Sequence, residues 1–188
     1  MFEDYKKKPS VVIVYTGDGK GKTSASLGLA VRALGAGYSV AYIQFLKAWE
    51  VSEHKFLRAI QTIYKSKLKF IKGGKGFYKA GELSAKGVTA KEHITAGKKT
   101  YEQAVTAARS GKYQLVVCDE ISNAIHDGLI TEKDLKKLIT SRHSSTSLCL
   151  TGRHFPKQLL KYVDIATEMS KIKHHYDDKF LANEGIDY

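Results

Sequence analysis

The stretch "TGDGKGKTS" (residues 16–24) carries the groups that proteins use to bind phosphate. Its glycines allow backbone N–H groups to converge on an anion, and the helix that should follow adds a partial positive charge. Lys22 can reach phosphate oxygens, and the Thr23 hydroxyl can ligate Mg²⁺. One glycine is displaced: the usual G-x-x-x-x-G-K-[ST] pattern would place it at Thr16, whereas here it is Gly17. We predict an ATP phosphate site formed by Gly17, Asp18, Gly19, Lys20, Gly21, Lys22, Thr23 and Ser24.

A second group of candidate functional residues, both acidic, follows the apolar run "LVVC". Four apolar residues followed by acids are typical of a Walker B strand, which places Asp119 and Glu120 at a strand's carboxyl end. Together with Thr23, these acids are the candidate Mg²⁺ ligands, and the sequence does not decide which of the two touches the ion. Lys22, Thr23 and Glu120 are the candidate catalytic residues.

The elements that must position these groups alternate along the chain. The patterns predict strands at 11–16, 38–45, 67–72, 113–120, 145–152 and 163–170. They predict helices at 23–37, 52–64, 89–110 and 131–142, and a short helix beginning near Pro156. Such alternation indicates an α/β P-loop NTPase fold of RecA-like type, with a mostly parallel sheet and helices on both faces. Ligands of such sheets bind beyond the carboxyl ends of the strands, where both chemical groups lie.

Composition favours one domain over residues 1–188, with a flexible N-terminus at 1–9. Apolar runs are too short to span a membrane and no signal peptide is evident, so we expect a cytoplasmic protein. Cys118 and Cys149 lie inside apolar runs and are predicted to be buried thiols. The net charge of +12 indicates an anionic ligand without choosing among nucleotides, nucleic acid and acidic cofactors.

The chain resembles the P-loop ATP:corrinoid adenosyltransferases along nearly its whole length. The resemblance rests on "TGDGKGKTSASLGLAVRALG" (16–35), "VAYIQFLKAWE" (40–50), "KGFYK" (75–79), "LVVCDEISNAI" (115–125), "TGRHFP" (151–156) and "GIDY" (185–188). It implies transfer of the 5′-deoxyadenosyl group of MgATP to a Co(I) corrinoid such as cobalamin, with release of triphosphate. It also implies a homodimer and allows for an electron donor protein. A nucleotide bound in the reversed sense, as in this family, would suit the displaced glycine.

The resemblance also suggests further site residues. Arg32 and Arg153 would add contacts to the triphosphate, and Phe77 with Tyr78 would contact the corrinoid. The family's loop reads roughly G-F-x-W, whereas this chain has Lys79 at the tryptophan position. A lysine does not supply the same apolar wall.

Two other functions fit part of the sequence. The stretch 64–79 carries six lysines, aromatic residues and no acid, which suits single-stranded nucleic acid and a nucleic-acid-stimulated RecA-like ATPase. The same lysines would also keep an exposed edge strand soluble, and we favour this explanation over nucleic-acid binding. A small-molecule kinase would need a base for its acceptor hydroxyl, and no acid beyond Asp119 and Glu120 is evident. Nucleic acid is therefore not the expected partner.

Overall fold

Six parallel strands form one sheet. The computed structural model describes residues 4–47, 50–76, 78, 85 and 87–187. The strands are β1 (Val12–Thr16), β2 (Val40–Gln44), β3 (Leu68–Lys72), β4 (Leu115–Asp119), β5 (Ser147–Thr151) and β6 (Ile165–Glu168). Their order across the sheet is β3-β2-β4-β5-β1-β6, and every pairing is parallel. The α/β prediction is confirmed, and the sheet is parallel throughout.

Helices connect these strands. They are α1 (Lys22–Gly35), α2 (Ser52–Tyr64), α3 (Ala90–Arg109), α4 (Ile121–His126) and α5 (Glu132–Ser141). Thr89 and Thr131 cap α3 and α5, and each pairs with an acid three residues later, as capping boxes do. Short 3-10 helices occur at Lys65–Lys67, Lys157–Tyr162 and His175–Asp178. The helix α4 is an addition to the elements that the sequence predicted.

The core lies on both faces of the sheet, as alternating side chains require. On one face, α1 and α2 pack against residues such as Tyr42 and Val117. On the other, α3, α4 and α5 cover residues such as Ile43 and Val116. Cys118 and Cys149 are buried free thiols, and burial raises the pKa of both.

The helix α2 has the predicted bounds, but its buried side differs from its apolar side. Leu57 is 1% exposed, whereas Phe56 and Ile63 are 48% and 74% exposed. Neighbouring helical positions lie about 100° apart, so Phe56 lies to the side of the helix when Leu57 faces the sheet directly. A polar residue, His54, is fully buried on the inner side instead.

The two edges of the sheet differ from its centre. In β3, Lys69 and Lys72 are exposed and the strand lies at the edge of the sheet, in agreement with the interpretation of these lysines as those of an edge strand. All four residues of β6 are exposed. No helix in the described part of the chain is long and apolar enough to cross a membrane.

Candidate functional site

The predicted phosphate site is a tight loop between β1 and α1, which we call the glycine loop (residues 17–21). Gly17 and Gly21 have φ of 95° and 107°, values that favour glycine. The chain after β6 lies directly against this loop. A Cβ added to Gly19 would come within 2.6 Å of the Met169 carbonyl oxygen, and the Gly19 N–H donates to that oxygen over 2.6 Å. Only glycine fits this close approach without displacing the backbone.

Lys22 begins α1, and its side chain folds back over the glycine loop. Its Nζ donates to the carbonyl oxygens of Gly17 and Gly19 over 2.7 and 2.6 Å. Burial lowers the pKa of Lys22, and the Glu120 carboxylate opposes that shift. The ammonium group is therefore positioned at the loop that should receive phosphate.

Asp119 ends β4, and its fully buried carboxylate accepts hydrogen bonds from three elements. The Thr151 hydroxyl donates to Oδ1 over 2.7 Å, and the Gln44 amide donates to Oδ2 over 2.9 Å. Thr23 Oγ1 donates to Oδ1 over 3.1 Å. Thr23 and Asp119, which we predicted from opposite halves of the chain, are thus in direct contact.

Glu120 has a left-handed backbone, with φ of 63°, and begins α4. Its backbone N–H donates to the Thr151 hydroxyl over 2.9 Å. Its Oε2 atom is buried and has no hydrogen-bond partner. Burial, and then the neighbouring Asp119, raise the pKa of Glu120 to about 7, although Lys47 and Lys22 act in the opposite direction. An unpaired carboxylate oxygen next to Asp119 is a suitable ligand for a cation.

Lys47 is a site residue that our sequence analysis did not identify. Its Nζ donates to Glu53 Oε1 over 2.7 Å, and both side chains are largely buried. Burial alone would lower the pKa of Lys47, but the Asp119 and Glu53 carboxylates outweigh it and raise that pKa. The signal was present in "QFLK", because Lys47 follows β2 at the same sheet edge as Asp119.

Lys22, Thr23, Glu120 and Lys47 face one open cavity of about 880 Å³, to which Asp119 is connected through Thr23. It brings together predicted residues from four separate segments of the chain, together with Lys47 and Glu53. The predicted residues that line it are Asp18, Gly19, Lys20, Gly21, Lys22, Thr23, Ser24, Tyr78, Glu120 and Arg153. Within the described residues, no cluster of three or more His, Cys, Asp or Glu side chains could hold a metal by itself.

The two predicted arginines lie in different places. Arg153 lines the cavity, and its backbone N–H donates to Asn123 Oδ1 over 2.6 Å. Arg32 is exposed in the last turn of α1, about three turns beyond the glycine loop, and is not among the described residues that line the cavity. Its contact with the nucleotide stays a prediction.

The segment after β6, which we call the tail (residues 169–187), forms one wall of the cavity. Lys20 Nζ contacts Asp187 twice, through its carbonyl oxygen at 2.8 Å and through Oδ1 at 2.9 Å. The Asn183 backbone N–H donates to Asp187 Oδ2 over 2.9 Å. The tail is therefore attached to the glycine loop at Gly19 and at Lys20.

Comparison with known proteins identifies the family. The model of the family described as ATP:corrinoid adenosyltransferase BtuR/CobO/CobP matches residues 8–188. The chain belongs to this family. A corrinoid adenosyltransferase of Sinorhizobium sp. is 28% identical over 179 residues, which cover 95% of this chain and 80% of the relative. One from Escherichia coli (strain K12) is 27% identical, with 95% and 85% covered, and one from Salmonella typhimurium (strain LT2) is 26% identical, with 97% and 88% covered.

The residues predicted to contact a corrinoid in this adenosyltransferase family are partly described. Tyr78 lines the cavity, and its ring lies 4.8 Å from that of His93, which is 2% exposed. Phe77 and Lys79 lie outside the described residues. Among the described residues of 75–79, Tyr78 supplies the aromatic side chain of the cavity wall.

Proposed function

We propose that this chain transfers the 5′-deoxyadenosyl group of ATP to the Co(I) ion of a corrinoid and releases triphosphate. Membership of the family supports the reaction. One observation supports the assignment of this reaction to these residues: the glycine loop, Lys22, Lys47 and Glu120 line the same cavity. That arrangement offers cations and backbone N–H groups to a triphosphate at the carboxyl edge of the sheet.

The proposed reaction is a nucleophilic displacement at C5′ of ATP. The electron pair of Co(I) forms the cobalt–carbon bond, and the pair of the breaking C5′–O bond leaves with the triphosphate. Cobalt thereby goes from Co(I) to Co(III), so the corrinoid supplies the nucleophile and no protein base is needed. The chain's task is to hold C5′ in line with cobalt and to stabilise the charge of the departing triphosphate.

Lys22, Lys47 and Arg153 are suited to that task. Lys22 lies on carbonyl oxygens of its own loop, and an anionic phosphate oxygen is a stronger acceptor for its ammonium group. Lys47 keeps its charge because Asp119 and Glu53 raise its pKa. Lys20 is attached to Asp187, so its contact with phosphate requires a shift of that ion pair.

The residues present also suit Mg²⁺, which we propose is held by Thr23, Asp119 and Glu120. The unpaired Oε2 of Glu120 and the hydroxyl of Thr23 beside Asp119 are oxygen ligands of the kind that Mg²⁺ prefers. The ion would neutralise part of the triphosphate charge. A high Glu120 pKa is consistent with a carboxylate that needs a cation beside it.

The remaining proposals concern the whole protein. We propose that residues 1–188 form one domain and that the chain works in the cytoplasm as a homodimer. We also propose that an electron donor protein supplies the electron that reduces the corrinoid from Co(II) to Co(I). The phosphate product distinguishes this transferase from the two alternative functions. A kinase or a nucleic-acid-stimulated ATPase would form ADP, whereas the proposed reaction releases triphosphate.

The deciding experiment incubates the chain anaerobically with MgATP and chemically reduced cob(I)alamin. Loss of the Co(I) absorbance and phosphorus NMR of the products are followed together. We expect adenosylcobalamin and triphosphate, and a loss of at least about 100-fold in rate for Lys22→Met, since one charge-stabilising group is worth that much. Lys112→Met, an exposed lysine before β4, is the matched control and should keep the full rate. ADP without a cobalt–carbon bond would overturn the proposal.

A further inference from the structure

The Asp119 carboxylate is hydrogen-bonded to a row of buried side chains, Gln44 and then His54, that have no part in the proposed chemistry. Gln44 ends β2 directly beside Asp119 in the strand register. Its Nε2 donates to Asp119 Oδ2 over 2.9 Å. Both residues, and His54 behind them, are completely buried. Burying an amide and an imidazole costs free energy unless their polar atoms are paired, so the hydrogen bonds of Gln44 and His54 indicate a role for both side chains.

His54 provides the partner for the other end of the Gln44 amide. Its Nε2 is hydrogen-bonded to Gln44 Oε1. Its Nδ1 accepts the backbone N–H of Val51 over 3.4 Å, so the ring proton belongs on Nε2. Glu50 lies 3.7 Å from Nδ1, which is too long for a hydrogen bond that would draw the proton there.

Only one orientation of the amide satisfies all these groups. With the proton on His54 Nε2, Gln44 Oε1 accepts, and Gln44 Nε2 must face Asp119. The reversed amide would point its oxygen at the carboxylate and its NH₂ group at the imidazole N–H, so both contacts would become repulsive. Without the imidazole, Gln44 Oε1 would lose its donor in this chain of contacts, and the amide would be held only through Nε2, by Asp119 and Glu53. His54 thus fixes the far end of the amide that donates to Asp119.

The same amide also reaches the cationic wall of the cavity. Gln44 Nε2 lies 3.5 Å from Glu53 Oε1, and Glu53 accepts from Lys47. The first turn of α2 is therefore connected to the end of β4 through Gln44. This gives a role to the glutamine and the lysine of "QFLK", which the sequence alone left unassigned.

We propose that His54 and Gln44 are positioning residues that hold the Asp119 carboxylate in the orientation in which it meets Thr23 and Mg²⁺. This inference rests on the proposed function for the identity of the ion. Side chains that orient a metal ligand are worth about 10–100-fold in metal affinity. Neither residue is among the described residues that line the cavity, so their loss should act through Asp119.

The first test measures ATP binding without corrinoid as MgCl₂ is varied, by calorimetry. His54→Leu removes the donor, and we expect about a 10- to 100-fold rise in the Mg²⁺ concentration that gives half-maximal ATP affinity. His54→Gln can donate from nearly the same place and should stay within about 3-fold of the native protein. Leu57→Ala, a buried residue of the same helix, should lower thermal stability and leave the Mg²⁺ midpoint unchanged.

Equal shifts for His54→Leu and Leu57→Ala would overturn the inference, because the effect would then be one of packing. So would an unshifted midpoint in His54→Leu, or ATP binding by the native protein that does not depend on Mg²⁺.

A second test needs no folded His54→Leu protein. Long-range ¹H–¹⁵N NMR of the ligand-free native chain should show His54 as the neutral Nε2–H tautomer, with His54→Gln used for assignment. The Nδ1–H tautomer would overturn the proposed orientation of Gln44. A native chain that binds MgATP with this tautomer but forms no adenosylated corrinoid would instead overturn the proposed function and leave the positioning role in place.

Discussion

Glu120 combines a buried oxygen, an acidic neighbour and two nearby lysines. Its pKa of about 7 lies well above the ordinary value for a glutamate, because burial and Asp119 both disfavour its charge. In the ligand-free protein, between about pH 4.5 and pH 7, Glu120 therefore keeps its proton in the native state but has lost it in the unfolded chain. A group of this kind makes stability fall as pH rises from the unfolded pKa, near 4.5, to the folded pKa, near 7, and adds no slope above that.

The first prediction follows from this sign. In metal-free buffer, the native protein should lose stability relative to Glu120→Gln as pH rises from about 4.5 to about 7. Each pKa unit is worth about 1.4 kcal/mol, so the difference should reach at most roughly 3 kcal/mol. Urea unfolding of both proteins across this pH range measures it. Parallel stability curves would show that the glutamate is not desolvated as described.

Gly19 is a second residue whose environment makes a clear prediction. Its missing Cβ leaves room for the Met169 carbonyl, so Gly19→Ala should separate the tail from the glycine loop. We expect a loss of about 1–3 kcal/mol in the free energy of unfolding together with weaker ATP binding. The control is Gly28→Ala in α1, where a Cβ meets nothing within 4 Å and the helix should gain about 0.5–1 kcal/mol. Equal stability of the two variants would contradict the close contact.

The roles of some site residues could be predicted from the sequence, and the roles of others could not. Lys22, Thr23, Asp119 and Glu120 belong to patterns of fixed spacing, and the structure brings them together: three line the cavity, and Asp119 contacts Thr23. Gln44 belongs to "QFLK", but its role and that of His54 depend on the pairing of β2 with β4, in which Gln44 meets a residue 75 positions away. A sequence shows an amide at a strand end but not the carboxylate beside it.

At the scale of elements, strands were predictable because their apolar runs are short and bounded by polar residues. The helix α2 was predicted with the observed bounds, whereas α4, with six residues, is too short to show a helical period. The buried side of α2 was harder, since His54 and Gln61 replace apolar residues on it. Gln61 Oε1 accepts the Phe70 backbone N–H over 3.4 Å, so the helix meets β3 through a polar contact.

The tail shows no period, and its position could not be predicted either. Its contacts with the glycine loop include a backbone hydrogen bond from Gly19 and the Lys20–Asp187 pair, both between residues more than 140 positions apart. Such contacts depend on β6 lying next to β1 and not on local pattern.

The attachment of the tail can be tested by hydrogen exchange. Asp187→Asn removes the charge that holds Lys20 and weakens acceptance from Asn183, so the Asn183 amide should exchange faster. Global stability should fall by less than about 1 kcal/mol, since the Lys20 side chain is partly exposed. Asp178→Asn, an exposed acid of the same tail, is the control. Similar exchange at Asn183 in both variants would contradict the described attachment.

At the scale of the whole molecule, the β6 edge is an uncovered part of the sheet among the residues that the structure describes. All four residues of β6 are exposed, and Ile172, Leu181 and Ile186 of the tail are at least 80% exposed. Open strand edges and apolar clusters are typical of interfaces between chains. This edge is therefore where we expect the proposed homodimer to form.

Sedimentation equilibrium should give twice the 20.9 kDa mass of the chain. Ile165→Lys places a charge on the uncovered edge and should weaken the dimer, while Ile63→Lys, on the exposed side of α2, should leave it intact. A monomer mass at tens of micromolar protein would contradict the dimer. A dimer weakened equally by both changes would contradict its placement at β6.

The central claim is that the carbon of ATP, and not its phosphate, is transferred. A single-turnover reaction with ATP carrying ¹³C at C5′, cob(I)alamin and excess protein tests this directly. We expect carbon NMR to show the label bonded to cobalt, with one triphosphate released for each corrinoid adenosylated. Label that stays in ADP or AMP, with the corrinoid unchanged, would contradict the account.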